Sequence, residues 1–413
     1  MWAGPGLRGL AYVLLPIALV LAHRNVGLAT ALIGLTALPA AARLRPPRWA
    51  WPLLGVVLWL SLTTLWTPSV DDRSWAWRLP LAVLAAVACV LASGQAQAWE
   101  RKVFTGAILF GIALLGIEAL TGGAIRDVMP PAERSHRDDV SSARGIGAAI
   151  LLLPPALLLL RRGGAPVHRT LLVGAVSALL LGLGVWRFGV IANGLALMMV
   201  VIFGALALAA PRRTVVGLLL AAAACVVLVP LGALALPPAD VIEAMGEGPL
   251  SWRQRLLAWR LVADAATADL ATLLFGAGQN ASGPLADAVG TVRFPGAADA
   301  IPRLPGHPHN VVLHLWYEGG LVGLGLAAWG LAAAARAAAR RAWPRGLAAG
   351  AAALGGAWLV AAVVEVELWS GWRWACLALA VFGLRLAGAQ DVVNPSAARY
   401  RSAGSNRVRV PEG

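Results

Sequence analysis

The sequence is poor in charge. Only 13% of its 413 residues are Asp, Glu, Lys or Arg, against roughly 25% in a soluble globular domain. That shortage excludes an ordinary water-soluble fold. Cysteine is scarce as well: Cys89, Cys225 and Cys376 are the only three, each inside an apolar run. They show neither metal-ligand spacing nor a disulfide framework, so they read as small buried apolar side chains. No internal repeat is visible. A cleavable signal peptide is not expected either, since Arg8 and the apolar segment after it read as a first membrane helix that stays attached.

What is present is hydrophobic. Apolar residues make up 59% of the chain, the mean hydropathy is +0.74, and several runs approach the ~20 residues that cross a bilayer. The predicted fold is an all-α polytopic membrane protein of about twelve transmembrane helices with one large, partly helical external loop. Spans are predicted near 9–22, 27–41, 51–66, 79–93, 104–120, 145–160, 170–186, 189–209, 214–235, 319–335, 347–363 and 370–387. This divides the chain into helices 1–9 (1–235), a loop domain (236–318), helices 10–12 (319–387) and a polar, disordered tail (388–413).

In a soluble chain the net charge of +14 would suggest a nucleic-acid partner. Here it follows the positive-inside bias, and no nucleic acid is expected. Alternate connections carry Arg43, Arg45 and Arg48; Arg101 and Lys102; Arg161, Arg162 and Arg169; Arg212 and Arg213; and Arg336, Arg340, Arg341 and Arg345. The C-terminal end adds Arg385, Arg399, Arg401, Arg407 and Arg409. The other connections hold nearly all the acid, including Asp71, Asp72, Asp127, Glu133, Asp138 and Asp139. Of the acidic residues, only Glu100, Asp391 and Glu412 fall on the Arg-rich side. Both termini are therefore expected in the cytoplasm, with the acidic loops external.

The large loop contains one strong helix, SWRQRLLAWRLVADAATADL, whose start is assigned to a Ser251–Gln254 capping box. At ~100° per residue, Arg253, Arg260 and Asp264 share one face, while Arg255 falls beside Trp252 and Trp259. An Arg held against aromatics at a membrane surface suits a phosphate or pyrophosphate, so Arg255 ranks above Arg260. Arg187 sits in a tight external turn, where it either snorkels to headgroups or binds a ligand. The loop ends in GHPHNVVLHLWYEGG. His309 either caps the following helix or acts as a general base. A metal site on His307, His309 and His314 lacks a carboxylate or Cys at familiar spacing and is not expected. Glu318 orients a histidine or the helix start. Asn193 and Glu118 border spans and serve either function or helix packing.

His309-Asn310, Leu313, Glu318-Gly319 and Gly323-Leu324-Gly325 together resemble the His-Asn…Glu-x-Gly-x-x-Gly signature of the O-antigen ligase and polymerase superfamily. Two more segments fit. Arg255-x-x-x-Trp259 followed by Leu274-Phe275-Gly276-Ala277-Gly278 is similar to its Arg-x-x-x-aromatic segment with a Gly-x-Gly turn. Trp186-Arg187-Phe188-Gly189 is similar to its Ser-Arg turn, with Trp186 in place of the usual small hydroxyl residue. The resemblance implies a bacterial inner-membrane glycosyltransferase with a site facing the periplasm and no cofactor. Its donor would be an undecaprenyl-pyrophosphate-linked glycan and its acceptor the lipid A–core, reached among membrane lipids. Arg187 and Arg255 would grip the pyrophosphate, and His309 would be the base. Arg260, Arg253, Asn310, His307, Glu318 and Trp259 would contribute to substrate binding. An O-antigen polymerase, a protein O-oligosaccharyltransferase and, in a different class, a transporter are the alternatives.

Overall fold

The structure is a computed structural model that describes residues 3–21, 23–69, 74–125, 127 and 138–388. The C-terminal tail and the acidic residues Asp71, Asp72 and Glu133 lie outside the described residues, as do the side chains of Asp138 and Asp139. The first half is α1 (Ala3–Val20), α2 (Val26–Leu35), α3 (Leu38–Ala42), α4 (Trp51–Leu62), α5 (Trp75–Ala92), α6 (Ala98–Thr121), α7 (Asp138–Arg162), α8 (Val167–Arg187), α9 (Ile191–Ala209) and α10 (Pro211–Leu234). The large connection holds α11 (Ala239–Glu243), α12 (Leu250–Ala266), α13 (Leu270–Phe275) and α14 (Ser282–Val289). It also contains a minimal antiparallel pair, β1 (Thr291–Val292) with β2 (Ile301–Pro302). Three helices close the chain: α15 (Val311–Ala339), α16 (Arg345–Val364) and α17 (Gly371–Gly388).

Among the described residues, nine helices are long and apolar enough to cross a membrane, those built on α4 to α10, α15 and α16. The other three predicted spans fall on α1, on α2 with α3, and on α17. The segment near 27–41 is not one helix: it breaks between Leu35 and Leu38. One core surrounds α7, whose residues Ile146 to Leu153 are almost fully enclosed by α1, α6, α8, α9, α16 and α17. A second core joins α4, α10, α12 and α15. Asn193 serves packing: its amide on α9 donates to the Ala143 carbonyl on α7 at 2.7 Å.

Connections that the charge pattern assigns to one side touch one another. Thr67 donates to the Gln279 carbonyl and Ser69 to that of Asn280 at 2.9 Å, His23 meets Arg144 at 3.4 Å, and His307 meets Glu367 at 3.0 Å. On the opposite side, Arg8 bonds the Glu100 carboxylate at 2.7 Å, and both are buried. That pair explains why Glu100 is an exception to the charge pattern.

α15 is two helices in one. Gly320 has φ 64° and ψ −167°, so the helix breaks there, one residue past the predicted start of span ten. A break inside a membrane protein frees carbonyls that must find new donors. They find them in the loop that follows α13. Ala277 N donates to the Tyr317 carbonyl at 2.7 Å, and Gly278 N to that of Glu318 at 3.2 Å. Trp59 Nε1 donates to the Gly319 carbonyl at 2.7 Å. The two backbones approach so closely that a Cβ at Gly276 would lie 2.3 Å from the Glu318 oxygen, and one at Gly320 2.4 Å from that of Leu274. The Gly-x-Gly turn and the Glu-Gly-Gly run are two halves of one lock.

Gly276→Ala or Gly320→Ala combines a left-handed φ with a backbone collision and should cost on the order of 2–4 kcal/mol. Gly325→Ala, with open space around it, should be neutral. Thermal melting of the detergent-purified variants checks this; equal melting of all three would refute the lock.

Candidate active site

α12 positions most of the predicted residues, though not from the predicted start. Pro249 opens the helix and no capping box forms, because Ser251 already lies inside it. The Gln254 amide is drawn away to the Pro302 carbonyl at 2.8 Å. The arginines divide by task. Arg253 is buried over Phe294 and donates to the carbonyls of Met245 (2.7 Å) and Pro295 (3.0 Å), fastening α12 to the loop. Arg260 pairs with Asp264 and donates to the Leu234 and Leu236 carbonyls, fastening α12 to the end of α10. Arg255 is different. It lies over Trp252 at 5.6 Å, its Nη1 reaches only the Ser251 carbonyl at 3.4 Å, and its buried Nε has no partner. Burial lowers its pKa, against the attraction of Glu365. It is a half-buried cation with donors to spare.

Trp259, one turn beyond Arg255, donates from Nε1 to the Pro308 carbonyl at 2.8 Å. On the other side of His309, Asn310 is fully buried and caps α15, its Oδ1 accepting from Val312 N (2.9 Å) and Leu313 N (3.1 Å). Between these two anchors His309 is forced into the left-handed region, φ 52°, an uncommon conformation for a side chain of this size. Its ring is thereby turned toward the α16–α17 connection, where Nδ1 lies 3.3 Å from the Glu365 carbonyl. A carbonyl only accepts, so Nδ1 carries the proton and Nε2 presents a lone pair.

The surroundings keep that lone pair free. Burial, with the charges of His307 and Arg255, outweighs the Glu365 carbonyl and Glu367 and brings the His309 pKa down to about 4. The His307 ring lies 4.3 Å from His309, centroid to centroid, and its Nδ1 meets Glu367 at 3.0 Å. Burial pushes the Glu367 carboxyl up, but the bond and charge of His307 outweigh this and bring it down to about 2. The arrangement is a neutral imidazole between a guanidinium and an imidazole–carboxylate pair.

Glu318 lies behind the site. Its fully buried carboxylate accepts from Asn280 N (2.8 Å), Ser282 N (3.1 Å), Ser282 Oγ (2.9 Å) and Trp369 Nε1 (2.7 Å). A fifth bond comes from His314 Nε2 at 2.9 Å; His314 Nδ1 accepts from Leu368 N, which fixes that tautomer. Glu318 thus orients His314, the loop and the α16–α17 connection, and has no exposed surface for a ligand. Arg187 stands apart at the end of α8. Its described neighbours are Phe188, 5.9 Å from ring centroid to guanidinium, and Gly122, whose added Cβ would come within 3.3 Å. Glu118, near it, is buried and accepts from Ile125 N at 2.9 Å. Among the described residues no three His, Cys, Asp or Glu side chains are grouped to hold a metal ion.

Sequence reasoning missed the α16–α17 connection. Glu365 lends its carbonyl to His309 and its carboxylate to Arg373, and Glu367 pairs with His307. Their signal was present as two acids in the short turn between two apolar runs, GluValGluLeuTrpSer. Comparison with models of known protein families returns no match, and comparison with curated proteins returns none either.

His309 and His23 both have pKa values brought down to about 4, below ~6.5 in the unfolded chain. Between those values the unfolded chain binds more protons, so stability should fall as pH drops from about 6.5 to 4. Thermal melting against pH checks it: His23→Gln with His309→Gln should flatten that segment, and an unchanged slope would refute the neutral rings.

Proposed function

We propose that the protein is an O-antigen ligase, transferring a glycan from undecaprenyl pyrophosphate to the lipid A–core at the periplasmic face of a bacterial inner membrane. About twelve spans, cytoplasmic termini and a periplasmic loop domain belong to the same reading. The observation that carries it is the pairing at one membrane face of a neutral His309, its Nε2 free, with Arg255, a guanidinium with unused donors. The motif order in the sequence supports it, and so does the finding that Gly276, Gly278, Trp259, Asn310 and Glu318 each hold a part of this site in position.

The chemistry follows from these groups. The acceptor hydroxyl gives its proton to His309 Nε2 as its oxygen attacks the anomeric carbon. The C1–O bond to the pyrophosphate breaks on the opposite face, and the configuration inverts. Arg255 donates to the pyrophosphate and stabilises the charge that grows on it, a form of electrostatic catalysis. Pyrophosphate leaves as an anion, so no general acid is required. Arg187 joins this grip if the donor extends across to the α8–α9 turn.

His309→Ala should lower glycan transfer by roughly 10²–10⁴-fold while insertion and melting are retained. Arg255→Ala should lower it by about 10²–10³-fold. Arg260→Ala should cost stability more than turnover, because its partners are carbonyls of the α10 end. Deleting the gene in its host, complementing with each variant and running the lipopolysaccharide on a silver-stained gel reads all three. Core free of O-antigen with accumulating lipid-linked polymer is the expected result of deletion. Core bearing one repeat unit would assign a polymerase, and an unchanged ladder would overturn the reading.

A further inference from the structure

The cationic character of this face continues beyond Glu365 and Glu367. His23 and Arg24 turn between α1 and α2, and Arg144 lies in the first turns of α7. Arg144 Nη1 reaches His23 Nε2 at 3.4 Å. A guanidinium only donates, so Nε2 accepts and His23 is the neutral tautomer with its proton on Nδ1. The edge of its ring packs on Trp372 at 4.8 Å, and burial with the nearby guanidiniums brings its pKa down to about 4. His23 therefore braces Arg144 without adding charge.

Among the described residues, the acids that Arg144 senses, Glu365 and Glu367, are already committed. Glu365 is bonded by Arg373, which is buried under Trp372 at 4.3 Å and lies over Gly147, where a Cβ would be 2.6 Å from its Nη1. Glu367 is bonded by His307. Arg144 lies within electrostatic range of Arg24 and of Arg373, and among the described residues neither Arg24 nor Arg144 has a hydrogen-bonded acid. Arg24 is exposed and Arg144 half-buried. Two neighbouring guanidiniums favour an anion that both can reach, and their planar forks suit a phosphate with several oxygens.

Their place relative to His309 names the ligand. His309 Nδ1 meets the Glu365 carbonyl, and Arg373 bonds the Glu365 carboxylate and lies over Trp372. Trp372 packs on His23, which holds Arg144. These contacts lead from His309 through the α16–α17 connection to Arg144 and Arg24, while Arg255 approaches His309 from α12. In an in-line displacement the nucleophile and the leaving group lie on opposite faces of the reacting carbon. With the leaving pyrophosphate at Arg255, the second cationic pole falls on the acceptor's side.

We propose that Arg24 and Arg144 bind a phosphate monoester on the acceptor glycolipid, so that the acceptor is oriented by its own charge. This rests on the glycosyl-transfer reading above. The test uses the full chain in proteoliposomes with its lipid-linked donor and with acceptor glycolipid before and after phosphatase treatment. Arg24→Gln with Arg144→Gln should raise the acceptor KM roughly 10–100-fold and leave kcat and the donor KM within about twofold. Phosphatase-treated acceptor should show the same rise with the unaltered chain and no further rise with the double variant. Arg24→Lys with Arg144→Lys, which keeps both charges, should recover most of the loss and serves as the folding control. An acceptor KM indifferent to phosphatase treatment would overturn the phosphate assignment. A KM effect that follows the anionic lipid content of the vesicle, and not the acceptor's phosphate, would assign the pair to lipid headgroups and overturn it equally. Absence of transfer by the unaltered chain with either acceptor would end the glycosyl-transfer reading itself, an outcome distinct from both.

Discussion

The arrangement depends on one buried carboxylate. An ionised group taken out of water costs several kcal/mol unless donors replace its hydration. Glu318 recruits five donors from three places: the start of α14, its own helix at His314, and the α16–α17 connection at Trp369. The positive end of the α14 dipole adds to this. No single segment could satisfy the carboxylate alone, so it holds the loop, the broken helix and the last connection in one register. His314 passes the constraint on by accepting from Leu368 N, two to three residues from the carbonyl that orients His309.

The break at Gly320 is the second half of the same constraint. A continuous helix would have kept the carbonyls of Tyr317, Glu318 and Gly319 for itself. Broken, it offers them to Ala277, Gly278 and Trp59, and the soluble-looking loop becomes fixed to the bundle by backbone bonds. Glycine is required on both sides because the chains meet without room for a Cβ. The His309 backbone is strained for the same end: its left-handed turn is held by Trp259 on one side and Asn310 on the other, and aims the ring across the seam between the two cores.

How much of this was legible in the sequence varies residue by residue. The all-helical membrane class and the grouping of connections by side came from hydropathy and charge, which act locally along the chain. The separation of Arg255 from Arg253 and Arg260 came from helical periodicity. The capping box failed for one local and one distant reason: Pro249 caps the helix two residues before Ser251, and Gln254 finds a partner 48 residues away. The Gly-x-Gly and Glu-Gly-Gly runs were visible as motifs, but their contact spans about forty residues of irregular chain, where periodicity says nothing. The joint placement of Arg24, Arg144, Glu365 and Glu367 was invisible for a related reason. They stand at or near helix ends in separate parts of the chain, and only packing shows that these segments meet.

A histidine with a pKa near 4 is a weak base, and its weakness has to be weighed against the alternative. At pH 7 an imidazole of ordinary pKa beside Arg255 and His307 would still be mostly neutral, so depression alone adds little to the neutral fraction and subtracts from basicity. The depression comes from burial and from cationic neighbours, however, and the second cause is removed when an anion arrives. On the proposed reading, a dianionic pyrophosphate at Arg255 would offset the guanidinium and favour the imidazolium, raising the His309 pKa as a proton is to be accepted. Burial, the larger cause of the depression, would remain. The gain in basicity would then be partial and would depend on the donor being bound.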